Sequence, residues 1–574
     1  MPQFETVIKN GLIIDGTRMP RFRSDLGIKN GKVAKIGHID GREGATVIDA
    51  SGLIVAPGFI DLHTHYDAQI YWDPYCSISS WHGITSAVIG NCGFGFAPVR
   101  PDDRDRAMLT MTRVEAIPYA SMKAGMPWDW VTFPDFLDSL DRRPKGINVL
   151  PYVPMAPMLT WVMGREEAKS RKPTPAEEAE LCRLLGEAMD AGGCGWSAQR
   201  FHPNGGSCVQ RDYDGTPMVT DVMADETSFA LARVLRQRNE GFIQMNLVTG
   251  DRKHDRAHYE QVAEVSGRPL LFNAVIAVNS DPEIHRDMLR WLHSCHERGL
   301  RVYGQGVTTD AGMNFAFTDW NLFDDAAAWC EATTGPIEDR LMKLSDPDRR
   351  PGLRKARPRI ITNDLADIIV VEVQHSDLKH LEGQTLREIG KAQGKHPVDV
   401  MLDLAVADSL RTEFFAPALN TRVDLQREVV ADPYVIPGVS DGGAHTKFFT
   451  AGRFPTEFLI KHVREHQILS LEDAHWRLST LPAYCAGFTD RGLLREGYAA
   501  DVVVYDFDAL GIGPLEIARD LPAGEWRRVQ RAEGYRHILV NGEVTFADGE
   551  ATGQMPGELL RHGRGRPGGV RQAA

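Results

Sequence analysis

The stretch Gly58-Phe59-Ile60-Asp61-Leu62-His63-Thr64-His65 decides how the rest of the chain is read. It follows the apolar run Leu53 to Ala56, which has the character of a buried strand, and its histidines fall where that strand ends. Successive side chains of a strand point to opposite faces, so residues two apart share a face and His63 and His65 can reach one ion together. Neutral imidazole is a good ligand for zinc and similar metals. Taken alone, the pair reads equally well as two histidines solvated at a strand end or satisfied by carbonyls. The surrounding chain has to separate the two readings.

Upstream, Phe4 to Ile14 and Leu26 to Ile36 are rich in β-branched residues. Each holds an Asn-Gly pair, Asn10-Gly11 and Asn30-Gly31, of the kind that makes tight hairpins. The far end reads the same way, with Asp501-Val502-Val503-Val504-Tyr505 and a third pair, Asn541-Gly542, within Tyr535 to Phe546. This predicts one small β-sandwich domain assembled from both termini, residues 1–56 and 488–560. The basic, Gly-rich end, 561–574, reads as a frayed tail.

Between the termini, strand-like and helix-like segments alternate. Candidate strands are Leu53 to Asp61, Thr85 to Asn91, Ile147 to Val153, Gly193 to Ala198, Gly241 to Val248, Pro269 to Val278, Leu300 to Gly306 and Val435 to Ser440. Helical patterns run over Thr174 to Ala191, Glu226 to Asn239, Arg256 to Ser266, Pro282 to Arg298 and Pro397 to Ser409. Eight strands, most followed by a helix, are the count of an α/β fold of the (β/α)8 TIM-type barrel, here spanning 57–487. A less regular stretch at about 310–390 reads as an insertion after the seventh strand.

Working residues of such a barrel sit at the carboxyl ends of its strands. Those ends carry His63 and His65 on the first, Cys92 in Gly90-Asn91-Cys92-Gly93 on the second, and Asp441 in Ser440-Asp441-Gly442-Gly443 on the eighth. Two imidazoles, a thiolate and a carboxylate make a zinc set. Singly, Cys92 reads as a small buried residue and Asp441 as a turn residue before two glycines.

Composition narrows the function. At 574 residues, 43% hydrophobic and 25% charged, the chain is that of a globular protein. A net charge of -13 argues against nucleic acid or an anionic membrane as partner, since both are held by clustered Lys and Arg. The eight cysteines lack paired spacing, and no leader pattern or run of about eighteen apolar residues occurs. The expectation is a cytoplasmic protein, possible as a homo-oligomer, with a small-molecule substrate.

With these motifs in hand, the chain resembles the amidohydrolase superfamily, and within it the D-aminoacylase, or N-acyl-D-amino-acid deacylase, branch. The resemblance runs nearly end to end. It rests on Ala56-Pro57-Gly58-Phe59-Ile60-Asp61-Leu62-His63-Thr64-His65, on His82-Gly83-Ile84-Thr85 leading into Gly90-Asn91-Cys92-Gly93-Phe94, and on Ser440-Asp441-Gly442. Closing motifs are Leu481-Pro482-Ala483, Asp490-Arg491-Gly492 and Gly497-Tyr498-Ala499-Ala500-Asp501. The resemblance implies a metal-bearing barrel and metal-assisted amide hydrolysis, with Asp441 as general base and ligand. It also implies that Cys92 is a ligand in place of the carboxylated lysine usual in the superfamily.

Departures from the family pattern carry equal information. Where relatives have a histidine on the fifth strand this chain reads Gln244-Met245-Asn246, and where they have another on the sixth it reads Phe272-Asn273-Ala274-Val275. Amides are poor zinc ligands, so one Zn2+ is expected rather than two. The cations and tyrosine that relatives place near the substrate carboxylate are replaced by Asn246, Val275 and the stretch Gly306-Val307-Thr308. The expected substrate is therefore a neutral or apolar amide, with the N-acyl-D-amino-acid deacylase as the alternative. A catalytically degenerate barrel acting as a binding protein, and Cys92 as a covalent nucleophile, are further alternatives. Gln244 and Asn273 remain open as second-position or substrate contacts, and His445 as an acid, a member of the metal shell, or an ordinary loop histidine. Met155 to Trp161 and Phe315 to Trp320 read either as lining of an apolar pocket or as core.

Overall fold

The computed structural model describes residues 2–201, 211–310, 312–318, 323, 326–356, 358 and 364–562. The run Leu53 to Asp61 is two strands. Ile54–Pro57 joins the terminal sheet, and Phe59–Asp61 begins a parallel series. Between them Gly58 donates its N–H to Asp501 O at 2.9 Å, and a Cβ on it would lie 2.3 Å from Thr85 Oγ1. Only a residue without a side chain lets the chain cross between the sheets this closely.

The terminal sheet has nine strands and takes members from both ends of the chain. Val502–Tyr505 lies antiparallel on Ile54–Pro57, which lies parallel to Phe4–Ile13. Asn30-Gly31 and Asn541-Gly542 are tight hairpin turns with positive φ at both residues, as their sequence predicts. Asn10-Gly11 is not a turn. It forms a bulge inside the continuous strand Phe4–Ile13, where the register shifts between Ile8 and Gly11 and Asn10 takes φ 63°. Positive φ suits a bulge as well as a turn, and the pair alone does not choose.

The parallel series follows chain order. Phe59–Asp61, Ile84–Ile89 and Asn148–Pro151 pair in one group. Val153–Pro154, Gly195–Phe201, Phe242–Val248, Leu270–Val275, Val302–Gly306 and Val435–Pro437 pair in a second. Asn148–Pro151 and Val153–Pro154 are one strand interrupted at Tyr152, whose N–H reaches Ile89 O at 3.0 Å. Beyond the first and last strands, His65 N donates to Gly442 O at 2.7 Å and Thr64 bridges Gly442. The loops carrying the His-x-His motif and Asp441 are thus hydrogen-bonded neighbours. Strands such as Ile84–Ile89 are buried on both faces, which is why they read as unbroken apolar runs.

Helices cover the strands. Pro175–Ala191 is typical: Thr174 and Glu177 form a reciprocal capping box, Leu181, Leu185, Ala188 and Met189 are buried, and Gly192 ends it at φ 123°. Pro397–Ala407 departs from the sequence reading. It packs with Phe315, Trp329, Leu386 and Phe414 in a separate core beside the antiparallel strands Met313–Phe315, Ile369–Glu372 and Glu413–Ala416. The extra unit after the seventh strand therefore runs past 390. Its helix looks like any other because an amphipathic pattern reports burial and not which core receives it. Phe315 and Phe317 belong to this core, while Asp319 and Trp320 lie outside the described residues. At the end of the chain, Arg561 and His562 are docked on Ala191 O and Ala486 O, so the expected fraying does not begin at 561. Residues 563–574 lie outside the described residues, as does Cys208; the other seven cysteines are free thiols.

Two outcomes test this account. Replacing Gly58 by alanine should cost about 1–3 kcal/mol through overpacking against Thr85, and an unchanged denaturant midpoint would contradict the crossing. His82 and His475 are each pushed down to about 3 by burial and are neutral in the fold. The unfolded chain protonates them near about 6.5, so their contribution is present above that pH and is lost as pH falls toward 3. The decline in midpoint between pH 7 and 5 should accordingly be shallower in His475→Gln than in the wild type.

Candidate metal centre

The nitrogen or sulfur donors of His63, His65 and Cys92 lie within 4.8 Å of one another, and all three residues are buried. Cys92 Sγ is 3.5 Å from His63 Nε2. Asp441 Oδ1 stands 3.3 Å from His63 Nε2 and 3.7 Å from His65 Nε2. Residues more than 370 positions apart are brought together by the parallel series, whose first, second and last strands end on the same side.

The backbone around the cluster is held in a sparsely populated conformation. Cys92, Val439, Asp441 and His445 have φ of 57°, 95°, 47° and 51°, the left-handed region that costs side-chain-bearing residues about 1–3 kcal/mol each. Neighbouring bonds compensate. Asp61 accepts from His63 N at 3.0 Å and from Ser440 Oγ, and that hydroxyl also receives Gly442 N at 3.0 Å. Burial pushes the Asp61 carboxyl up to about 6 despite these bonds.

Each ligand candidate is oriented. His63 Nδ1 donates to Gln305 Oε1 at 2.9 Å, which turns Nε2 toward Cys92 and Asp441. Gln305, on the seventh strand, carried no signal in the sequence, since a lone glutamine in an apolar strand reads as core. Charges within the cluster support one another. Burial alone would push Cys92 up, but the imidazoles of His63 and His65 hold it below the usual thiol range. Burial would push His63 down, yet Cys92 and Asp441 hold it at about 10. Burial likewise opposes ionisation of Asp441, and the two imidazoles overcome it, keeping the carboxyl well below its usual range. A thiolate, a carboxylate and two imidazoles with aligned Nε2 atoms are a donor set fit for zinc or a similar divalent ion.

Gln244 and Asn273 take a role the sequence left open. Gln244 Oε1 accepts the Cys92 N–H at 2.7 Å, which turns its amide nitrogen to Asn273 Oδ1 at 2.5 Å and to Cys92 Sγ at 4.0 Å. Asn273 Nδ2 also stands 4.0 Å from Cys92 Sγ. Both present N–H groups toward sulfur, the arrangement that supports a thiolate. Gln244 has no exposed surface from which to meet a substrate.

His445 sits at the site's edge and is buried, and its Nε2 lies 3.2 Å from Glu115 Oε2. Glu115 itself lies 3.7 Å from His65 Nε2 and is a residue that sequence reasoning missed. A glutamate at the end of a helix follows no strand and matches no motif. Beside the Cys92 turn a cavity opens, lined by Phe94, Val99, Met111, Ala156, Trp161 and Met218. Three arginines border it. Arg106 pairs with Asp212 and Asp214, Arg165 pairs with Asp103, and Arg100 stacks on Trp161. Of the Met155 to Trp161 stretch, Ala156, Pro157, Thr160 and Trp161 line this cavity, whereas Met155, Met158 and Leu159 are core.

Gln305→Leu removes the acceptor that fixes His63, and should weaken binding of a divalent ion about 10–100-fold with little change in thermal stability. Competition against a chromophoric chelator measures it, and wild-type affinity in the variant would contradict the assignment.

A model of the amidohydrolase family matches residues 46–316 and 352–546. A D-aminoacylase from Alcaligenes xylosoxydans xylosoxydans is 26% identical, over 97% of this chain and 97% of its own. An N-acyl-D-aspartate deacylase from the same organism is 28% identical, over 98% of this chain and 96% of its own. Among solved structures, N-acyl-D-glutamate deacylase from Bordetella bronchiseptica, complexed with zinc and a phosphonate inhibitor, aligns with a TM-score of 0.66 at 24% identity. That alignment covers 97% of this chain and 100% of the other, and at this identity it speaks for the fold. The chain belongs to the amidohydrolase family, is similar along nearly its whole length to the D-aminoacylases, and is a hydrolase acting on carbon–nitrogen bonds other than peptide bonds.

Proposed function

We propose that this protein hydrolyses a neutral or apolar amide of a small molecule, using one divalent ion, zinc first, held by His63, His65, Cys92 and Asp441. The carrying observation is that the fifth- and sixth-strand positions are amides turned onto Cys92, and that among the described residues one cluster of donors, around His63, His65 and Cys92, is suited to an ion. When bound, such an ion supplies Lewis-acid activation of a carbonyl and of water. Asp441 is the member of the cluster that reaches solvent, its side chain 25% exposed, and is suited to take a proton and return it to the departing nitrogen. Gln305 keeps His63 in one tautomer, and Gln244 and Asn273 steady the sulfur.

The pairing of the described arginines that border the cavity supports the substrate class. Asn246 bonds Gln199, Val275 is buried in the core, and the cavity arginines pair with carboxylates or a backbone carbonyl. A carboxylate-bearing substrate needs a cation to hold it. The names of the relatives favour a second reading, hydrolysis of N-acyl-D-amino acids. The proposed architecture is a closed (β/α)8 barrel over 57–487 with a β-sandwich formed by 1–56 and 488–560. No helix among the described residues is long and apolar enough to cross a membrane, and a cytoplasmic location completes the reading.

Elemental analysis and a paired substrate panel test this together. The wild type should hold about one ion per chain and His63→Ala none. Neutral N-acyl amines should be cleaved with kcat/KM at least about tenfold above the N-acyl-D-amino acids bearing the same acyl group, a difference of about 1.4 kcal/mol. Two ions per chain would overturn the one-ion reading, and the reverse substrate preference would establish the deacylase.

A further inference from the structure

Glu115 is 1% exposed and caps the carboxyl end of the helix Arg104–Val114. The helix dipole disfavours an anion there, and full burial adds the cost of desolvation. Among the described residues no lysine or arginine pairs with its carboxylate. Its partners are two imidazoles, His445 Nε2 at 3.2 Å and His65 Nε2 at 3.7 Å. The backbone fixes the same junction, with His445 N donating to Glu115 O at 2.8 Å. Glu115 is thereby anchored to the loop that carries Asp441.

The side from which Glu115 meets His65 distinguishes its role. A group that merely orients an imidazole meets the nitrogen turned away from the ion, as Gln305 does at His63 Nδ1. Glu115 meets His65 at Nε2, the nitrogen that also faces Asp441, while His65 Nδ1 is buried and has no hydrogen-bond partner. Donors on one tetrahedral ion, with bonds of about 2.0–2.3 Å, stand about 3.3–3.7 Å apart. The separations of His63 from Asp441, Cys92 from His63, and His65 from Asp441 are 3.3, 3.5 and 3.7 Å. The separation of His65 from Glu115, 3.7 Å, belongs to the same set.

We propose that Glu115 is a carboxylate ligand of the metal centre, approaching on the His65 side and oriented by its contact with His445 Nε2 at 3.2 Å. It adds a carboxylate donor on the His65 side, where it can share or alternate a position with water as the coordination of a catalytic zinc expands. This rests on the one-ion reading above. The ion offsets the buried carboxylate, and the contact with His445 helps to fix it.

Cobalt(II) titration of the full chain, followed by d–d absorption and by chelator competition, tests the assignment. Glu115→Gln should lose affinity at least about tenfold and change the band shape. Glu115→Asp should recover part of the loss, and His445→Gln should weaken binding less than Glu115→Gln. Wild-type affinity and an unchanged spectrum in Glu115→Gln would overturn the proposal while leaving the one-ion reading intact. A wild-type chain that takes up no cobalt or zinc would overturn that reading and this proposal with it. Should circular dichroism show Glu115→Gln unfolded, the other two variants decide: the graded losses support a ligand, and wild-type binding in both overturns it.

Discussion

A buried thiol and a partly exposed carboxylate gathered around two buried imidazoles are the constraint on which this structure turns. His63 and His65 hold the Cys92 thiol and the Asp441 carboxyl below their usual ranges against the effect of burial, and two side-chain amides are turned toward the sulfur. Removing water from such charges is expensive, and pairing repays it only when geometry is held closely. Much of the surrounding architecture serves that geometry, from the Gln305 bond behind His63 to the Asp61–Ser440 bond beneath the last loop.

The left-handed residues at the site follow from the same requirement. A strand end delivers a side chain along one direction, and bringing sulfur, carboxylate and imidazole to one point demands sharper turns than extended backbone allows. Cys92, Val439, Asp441 and His445 each take positive φ, and the bonds of Gln244, Ser440 and Glu115 hold them there. Strain of this kind persists where neighbours over-determine it, and it marks a constructed site more clearly than composition does.

The ends of the central strands carry Gln244, Asn246, Asn273 and Val275, none of them a cation or an imidazole. The amides at 244 and 273 turn two N–H donors toward the sulfur, which favours its charged form. The paired arginines around the cavity and the uncharged residues at 246 and 275 suit the neutral or apolar amide proposed above.

The sequence by itself made legible the alternating α/β series and the motifs that carry His63, His65, Cys92 and Asp441. These are legible because buried strands are continuous apolar runs and because a two-residue spacing has one geometric meaning. Tertiary structure alone decided the rest. Whether Asn10-Gly11 is a turn or a bulge, and which core receives Pro397–Ala407, depend on partners distant in the chain. Gln305 and Glu115 were invisible for the same reason. Each acts through a contact with a histidine 242 or 50 positions away, formed only when strands or loops are brought side by side. Local pattern records what a residue must bury, and not what it will meet.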